Sequence, residues 1–179
     1  MDLAQTDSAM EGAPAAEQTL VVIGNGMMSF RLCQKLVECA AHEKLEIIVF
    51  GEEPRAAYDR IHLTELFSGR SAESLTLATE DWYSDNGIEL YLGDPVIEID
   101  RDDCSVVSQQ GRRVAYDRLV FATGSRPFVP PIDGADLPGV FVYRTVEDLE
   151  AIKQYGEGLS RAAVIGGGLL GLEAAKAVY

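Results

Sequence analysis

The sequence predicts an α/β fold: a parallel sheet covered by helices and joined to an antiparallel meander, with the start of a second strand–turn–helix unit behind it. Three observations carry that prediction. Two glycine-rich turns, residues 24–29 and 166–171, each follow a short apolar run and open a helical pattern. The first lies in a strand–helix–strand succession over residues 19–50, a βαβ unit that requires a parallel sheet. Between the two turns, another apolar run ends in Ala122-Thr123-Gly124.

Composition supports a packed domain and narrows its partners. The 179 residues are 47% hydrophobic and 25% charged, which fills a core and excludes wholesale disorder. The formal net charge is −14, and the densest basic spot is Arg112-Arg113. Such a chain repels phosphate backbones and anionic lipid, so neither nucleic acid nor a membrane is expected as a partner. No run approaches the roughly 18 apolar residues of a membrane helix. Cys33, Cys39 and Cys104 are an odd set without a CxxC pair, which points away from both a disulfide scaffold and a metal site. A cytoplasmic protein is expected.

Residues 1–18 carry acids, no basic start and no apolar middle, and read as a flexible leader rather than a signal peptide. Thr19–Ile23 is apolar and β-branched, the pattern of a strand buried on both faces. From Met27 to about Ala41, Phe30, Cys33, Leu36, Val37 and Ala40 recur at helical spacing, and Glu46–Phe50 is a second strand. Residues 61–70 and 79–86 are predicted as short helices, the second capped by Thr79 with Glu80 and Asp81 in its first turn. Ile88–Leu92, Val96–Ile99, Cys104–Val107 and Val114–Tyr116 are short runs separated by polar turns, which predicts a meander. Leu119–Ala122 is predicted as a buried strand.

Residues 126–144 begin with four prolines within 14 positions and read as a connector between lobes. Thr145 then caps a helix over Val146–Tyr155, with Asp148 as an aspartate variant of the capping box. Ala162–Ile165 is predicted as a strand leading into the second glycine turn and an alanine-rich helix. Residues after Ala162 are too few for a complete βαβ unit, so the second lobe is expected to be truncated at Tyr179, within a longer parent protein. The expected lobes are thus 19–125 and 145–179.

Each glycine turn has a physical use. Gly24 permits the tight turn, and Gly26 lets backbone approach a diphosphate. The helix opening at Met27 and Met28 presents free N–H groups to it, with Asn25 between the glycines. An acidic protein binds a diphosphate this way without Lys or Arg. Ser29 replaces the third glycine. Such a fingerprint calls for an acid after the second strand, for a ribose hydroxyl pair; Glu52 and Glu53 stand there, 28 and 29 residues after Gly24, and a solvated acidic turn is the alternative. Gly166, Gly168 and Gly171, with Leu170 among them, form a complete GxGxxG.

Together these residues resemble the two-dinucleotide flavoproteins, the pyridine nucleotide-disulfide oxidoreductase fold. The resemblance implies a Rossmann-like lobe holding FAD on the first motif and the start of a Rossmann-like NAD(P)H lobe on the second. Members that react through a thiol carry a redox cysteine after the second strand; Glu52–Glu65 contains none. The run Gly51-Glu52-Glu53-Pro54-Arg55-Ala56-Ala57-Tyr58-Asp59-Arg60-Ile61-His62-Leu63-Thr64 is similar to the large subunit of NAD(P)H-dependent nitrite reductase, as is Val140–Leu149. Reductases of ferredoxin and rubredoxin carry two prolines at Ile61-His62 and a lysine at Glu65. The nitrite reductase resemblance implies electron flow from NAD(P)H through FAD to iron–sulfur and sirohaem centres further along the same polypeptide; a carrier reductase and a nucleotide-binding module without turnover are the alternatives.

The resemblance also implies residue roles. Arg60 and His62 stand near the flavin or its phosphates; alternatively, Arg60 pairs with Asp59 or a nearby glutamate and His62 is a partly buried structural imidazole. Val96 is where relatives read the adenine edge through backbone, or else a strand core residue. Ala122, Thr123 and Gly124 end a strand at the carboxyl edge of the sheet, where ligands bind. Glu173 approaches the nicotinamide, or simply complements a helix N-terminus.

Overall fold

The computed structural model describes residues 18–179; the leader expected over 1–18 lies outside them except for Gln18, which opens the first strand. That strand, β1 (Gln18–Ile23), is central. It pairs in parallel with β2 (Leu45–Phe50) on one side and β7 (Arg118–Phe121) on the other, and β2 pairs in parallel with β3 (Ile88–Tyr91), giving the order β3-β2-β1-β7. Helix α1 (Met27–Glu38) is the crossover from β1 to β2.

Both faces of this sheet are covered, and side chains alternate between them with period two. Leu20, Val22, Ile47 and Val49 pack with Cys33, Tyr83 and Ile88 and with Phe30, Leu36 and Val37 of α1. Val21, Ile23, Ile48 and Phe50 pack on the opposite side against Val106, Ile99 and Val114 of a second sheet. That sheet is antiparallel: β4 (Val96–Asp100), β5 (Ser105–Ser108) and β6 (Arg113–Ala115). Asp94 anchors its start. Its buried carboxylate accepts from Ser108 Oγ at 2.9 Å and Gln110 N at 2.8 Å, and its N–H donates to Gly51 O at 3.0 Å.

The structure corrects five expectations. Ile88–Tyr91 leaves the meander for the parallel sheet, because Ile88 is needed on the helix-covered core and Tyr91 stacks on Phe50 with ring centroids 5.2 Å apart. Helix α1 ends at Glu38, where Ala40 turns left-handed (φ 56°) and a 3-10 turn covers 41–43. Residues 60–68 form 3-10 helix interrupted at His62. Strand β7 is an edge whose Phe121 is 65% exposed, since β1 is its only partner among the described residues. Ala162–Ile165 forms no strand: no described neighbour pairs with it, and Ile165 is 77% exposed. An unpaired strand leaves its N–H and C=O groups without partners, so the run has no reason to lock into β geometry alone.

Helix α2 (Glu80–Asp85) is capped by Thr79, whose side chain accepts from Trp82 N. Residues 122–145 contain no helix or strand. Helix α3 (Val146–Gly156) follows with a complete capping box: Thr145 N donates to Asp148 Oδ2 at 2.9 Å, and Asp148 N donates back to Thr145 Oγ1 at 3.2 Å. Its Val146 and Leu149 are fully buried with Tyr58, Leu63, Leu66 and Leu75, so α3 sits on the irregular segment after β2. Helix α4 (Leu169–Ala177) closes the described chain. Thr145→Ala removes one half of the box and should cost about 1 kcal/mol, while Thr145→Ser should stay within a few tenths; urea denaturation midpoints of the three proteins measure it.

Candidate functional site

The first glycine turn lies where three strand ends meet. Gly24 takes φ +105°, and its N–H donates to Phe50 O at 2.7 Å. A Cβ there would stand 2.3 Å from Ala122 O, so any side chain is excluded. Ala122 N in turn donates to Ile23 O at 2.8 Å, which seats the Ala122-Thr123-Gly124 turn against the glycine turn.

Gly26 is different. It heads α1 in extended geometry (φ −102°), without a side-chain cap, and a Cβ would meet nothing within 4 Å. The fold itself therefore does not require glycine at 26. The first-turn N–H groups of Met27 and Met28 have no intrahelical acceptor, and together with the helix dipole they favour an anion in the open space ahead. Met28 is 75% exposed; Ser29, at the third glycine position, is fully buried beside the strand. Asn25 is held from behind, its Oδ1 accepting from Tyr83 OH at 3.0 Å, and Gly51 makes room for it (a Cβ would lie 3.1 Å from Asn25 Cβ). An uncapped helix start with an empty approach fits the diphosphate of a dinucleotide.

The two candidate ribose acids part company after β2. Glu53 is committed to the protein: Tyr58 OH donates to it at 2.7 Å and Arg60 Nη2 at 2.5 Å. Burial, reinforced by Glu53, pushes the Tyr58 phenol well above its ordinary range, so it remains a donor. Glu52 points outward, held only by exposed Arg126 at 3.1 Å. Arg60 pairs with Glu53 rather than Asp59. It also donates from Nη1 to Arg144 O at 2.8 Å and lies over the Tyr58 ring at 4.8 Å. His62 is half-exposed instead of partly buried; its Nδ1 sits 2.7 Å from Asp59 Oδ2, the residue that caps the 3-10 segment and draws the ring outward.

The second turn repeats the design of the first. Gly166 takes φ +129°, and a Cβ on Gly171 would stand 2.0 Å from Gly166 O, the close approach that only glycine permits. Gly168 caps α4 with backbone alone and nothing within 4 Å of its Cβ position. The two turns converge. Met27 from the first and Leu170 and Glu173 from the second line one cleft of about 300 Å³, at the lower end of small-molecule sites. Its remaining wall comes from Arg60, Ile61, Leu63 and Thr64 and from Tyr143 and Arg144; His62, turned outward, does not line it. The Arg144 guanidinium lies 3.6 Å from where a Cβ on Gly124 would be. A more open hollow of about 360 Å³, bordered by Gln18, Ala41, Lys44 and Leu45, holds no candidate residue.

Val96 stands apart from the cleft. It opens β4, packs with the Phe50 and Tyr91 face, and precedes a register shift in the β4–β5 ladder. None of the three cysteines lines the cleft. Burial pushes the Cys33 thiol up to about 11, which keeps it protonated near neutrality. Sequence reasoning missed Thr64, Tyr143 and Arg144 as site residues. Thr64 and Tyr143 are 79 positions apart, and only their membership in the two runs similar to nitrite reductase marked them.

Comparison with known proteins agrees with this architecture. Residues 18–178 match the family described as pyridine nucleotide-disulphide oxidoreductase. The chain is 48% identical over 159 residues to the nitrite reductase (NADH) large subunit of Escherichia coli K12, covering 89% of this chain and 19% of that protein. It is 44% identical to the assimilatory nitrate reductase electron transfer subunit of Bacillus subtilis 168, covering 89% of this chain and 21% of that one. The chain thus spans about a fifth of the length of these curated relatives. Among solved structures, the putidaredoxin reductase–putidaredoxin complex superposes with a TM-score of 0.79 at 33% identity, over 91% of this chain and 40% of that one. The ferredoxin reductase of the CYP199A2 system of Rhodopseudomonas palustris gives 0.80 at 29% identity, over 89% and 40%. With the family match running from β1 through α4 and both glycine turns opening on one cleft, the chain belongs to the pyridine nucleotide-disulphide oxidoreductase family.

Proposed function

We propose that this chain holds FAD on its first glycine turn and presents it to NAD(P)H on the second, as part of an NAD(P)H-dependent oxidoreductase of the nitrite reductase kind. The observation that carries this reading is the convergence of Met27, Leu170 and Glu173 on one cleft, because hydride transfer requires two cofactors to meet. When bound, FAD would supply the redox chemistry, hydride acceptance and onward electron transfer. The chain's own residues bind and orient.

In this reading Gly24, Asn25, Gly26, Met27 and Met28 cradle the diphosphate, and Glu52, the more exposed acid with only the Arg126 pair among the described residues to give up, takes the ribose hydroxyls. Glu53 serves instead to hold Arg60. Arg60 and Arg144 put positive charge beside the Ala122-Thr123-Gly124 turn, against the phosphates or the ring edge, and Val96 meets the adenine through its backbone. On the second turn Gly166, Gly168, Leu170 and Gly171 receive NAD(P)H, with Glu173 near the nicotinamide. Residues 19–125 are then the flavin lobe, 126–144 the connector, and 145–179 the start of the nucleotide lobe, with α3 seated on the former. Iron–sulfur and sirohaem centres elsewhere in the same polypeptide would be the acceptors, and the protein would work in the cytoplasm. Among the described residues no helix is long and apolar enough to cross a membrane.

A reductase of ferredoxin-type carriers is the second reading, favoured by the likeness to the carrier reductases above and by 35% identity to the rhodocoxin reductase of Rhodococcus erythropolis. The higher identity to nitrite reductase and the replacement of the two prolines and lysine by Ile61-His62 and Glu65 weigh against it.

The intact protein should carry a flavin band near about 450 nm that bleaches under anaerobic NADH or NADPH; a desalted, folded protein without that band would overturn the proposal. The two glycines of the first turn should separate. Gly26→Ala fits the fold but fills the diphosphate approach, so flavin affinity should fall at least about tenfold with the melting temperature unchanged. Gly24→Ala collides with Ala122 O in a left-handed conformation and should cost about 2–4 kcal/mol of stability. Thermal melts and FAD titration of both variants measure the contrast.

A further inference from the structure

Thr64 and Tyr143 come from different parts of the chain and meet on the cleft wall, with Tyr143 OH donating to Thr64 Oγ1 at 3.0 Å. The Tyr143 ring is held on the side away from the cleft. It stacks on Phe67 at 6.2 Å with an interplanar angle of 9°, and the following backbone is tied down where Arg144 N and Thr145 N both donate to Asp148 Oδ2. Burial first raises the phenol above its ordinary range, the Thr64 hydrogen bond opposing it and the nearby Glu173 charge adding to it, so it stays protonated near neutrality.

Thr64 responds to that donor. A threonine in a helical segment ordinarily turns its hydroxyl back onto a carbonyl of the preceding turn. Here the hydroxyl accepts from Tyr143 instead, and its own O–H takes no acceptor among the described residues. A hydroxyl has one hydrogen to give and two lone pairs to offer. With one lone pair engaged by the phenol, the hydrogen is left to the open cleft. The apolar Met27, Leu63 and Leu170 on the same walls suit a flat ring, and the Arg60 and Arg144 cations favour an electron-rich edge on it.

We infer that Tyr143 is a positioning residue that commits the Thr64 hydroxyl to donate into the cleft, toward a carbonyl or ring-nitrogen acceptor on the edge of a bound flavin. The inference rests on the FAD reading above. It assigns to Thr64 a direct contact with the cofactor and to Tyr143 the control of that contact's direction.

The test uses the intact protein purified with its flavin. Tyr143→Phe keeps the stack on Phe67 and removes only the O–H; Thr64→Val removes the donor itself. Both should shift the visible flavin band by several nanometres relative to the wild type and weaken FAD binding about 3- to 10-fold, the range of one hydrogen bond. Thr64→Ser should restore the wild-type spectrum. In the Thr64→Val background, Tyr143→Phe should add nothing, because the phenol acts through the hydroxyl. If Tyr143→Phe fails to fold, the Thr64→Val and Thr64→Ser pair decides alone. Spectra of Thr64→Val and wild type that superimpose would overturn the inference, as would fully additive effects in the double variant. An unchanged flavin band with weakened NADH binding would place the hydroxyl on the nicotinamide nucleotide and overturn the flavin assignment. A wild-type protein without flavin would overturn the FAD reading and this inference together, whereas flavin retained with indifferent variants overturns the inference only.

Discussion

The absence of one carbon atom organises this molecule. At Gly24 the ends of β1, β2 and β7 approach so closely that the Ala122 carbonyl occupies the place of a side chain, while the Gly24 N–H closes onto Phe50 O. The three strands are thereby gathered at one point, and α1 leaves from that point with its first amides uncapped. Everything placed at the carboxyl edge of the sheet is measured from this contact: the Ala122-Thr123-Gly124 turn, the Gly51 corner with its Asp94 anchor, and the acids that follow β2. In the second turn the close approach is internal instead: a Cβ on Gly171 would stand 2.0 Å from Gly166 O, at the position that Ser29 fills in the first turn.

Around that edge, charged groups divide into those the protein consumes and those it leaves available. Glu53 and Arg60 neutralise each other within the Tyr58 and Arg144 contacts, a part-buried network in which removing either partner strands the other. Glu52, one residue earlier, stays in water. A one-residue step in a turn thus separates a part-buried structural carboxylate from a solvent-exposed one paired only with Arg126 among the described residues.

Local signals in the sequence foretold most of this architecture. The apolar runs at residues 19–23 and 46–50, helical spacing after Met27, the caps at Thr79 and Thr145, and both glycine turns read directly because each depends on neighbours a few positions away. The departures share another cause. Ile88–Leu92 reads as part of the meander because its length and turn-flanked pattern match the strands that follow; only the long-range pairing of Ile88–Tyr91 with Ile47–Phe50 sets it apart. Ala162–Ile165 has strand composition and no strand to pair with, so composition alone misled. In the site, the glycines were legible from spacing, whereas the split between Glu52 and Glu53 and the encounter of Thr64 with Tyr143 depend on contacts that no periodicity encodes.

The seating of α3 bears on how the two turns stay in register. Val146 and Leu149 sit in a core built by Tyr58, Leu63, Leu66 and Leu75; Arg55 pairs with Glu147 at 2.8 Å, and Lys153 donates to Leu66 O at 3.1 Å. The proline-containing stretch therefore leaves one body at Ala122 and returns to the same body at Thr145. It is a closed loop with both ends moored, not a tether, and its internal flexibility has no lever arm on the second turn. Any rotation of α4 relative to the parallel sheet has its freedom in the dozen or so residues between α3 and Leu169, a stretch holding Gly158, Gly166, Gly167 and Gly168. On the proposed reading the glycines that would admit a nucleotide are also the compliant part of the path, so the same few residues would govern both its occupancy and its alignment.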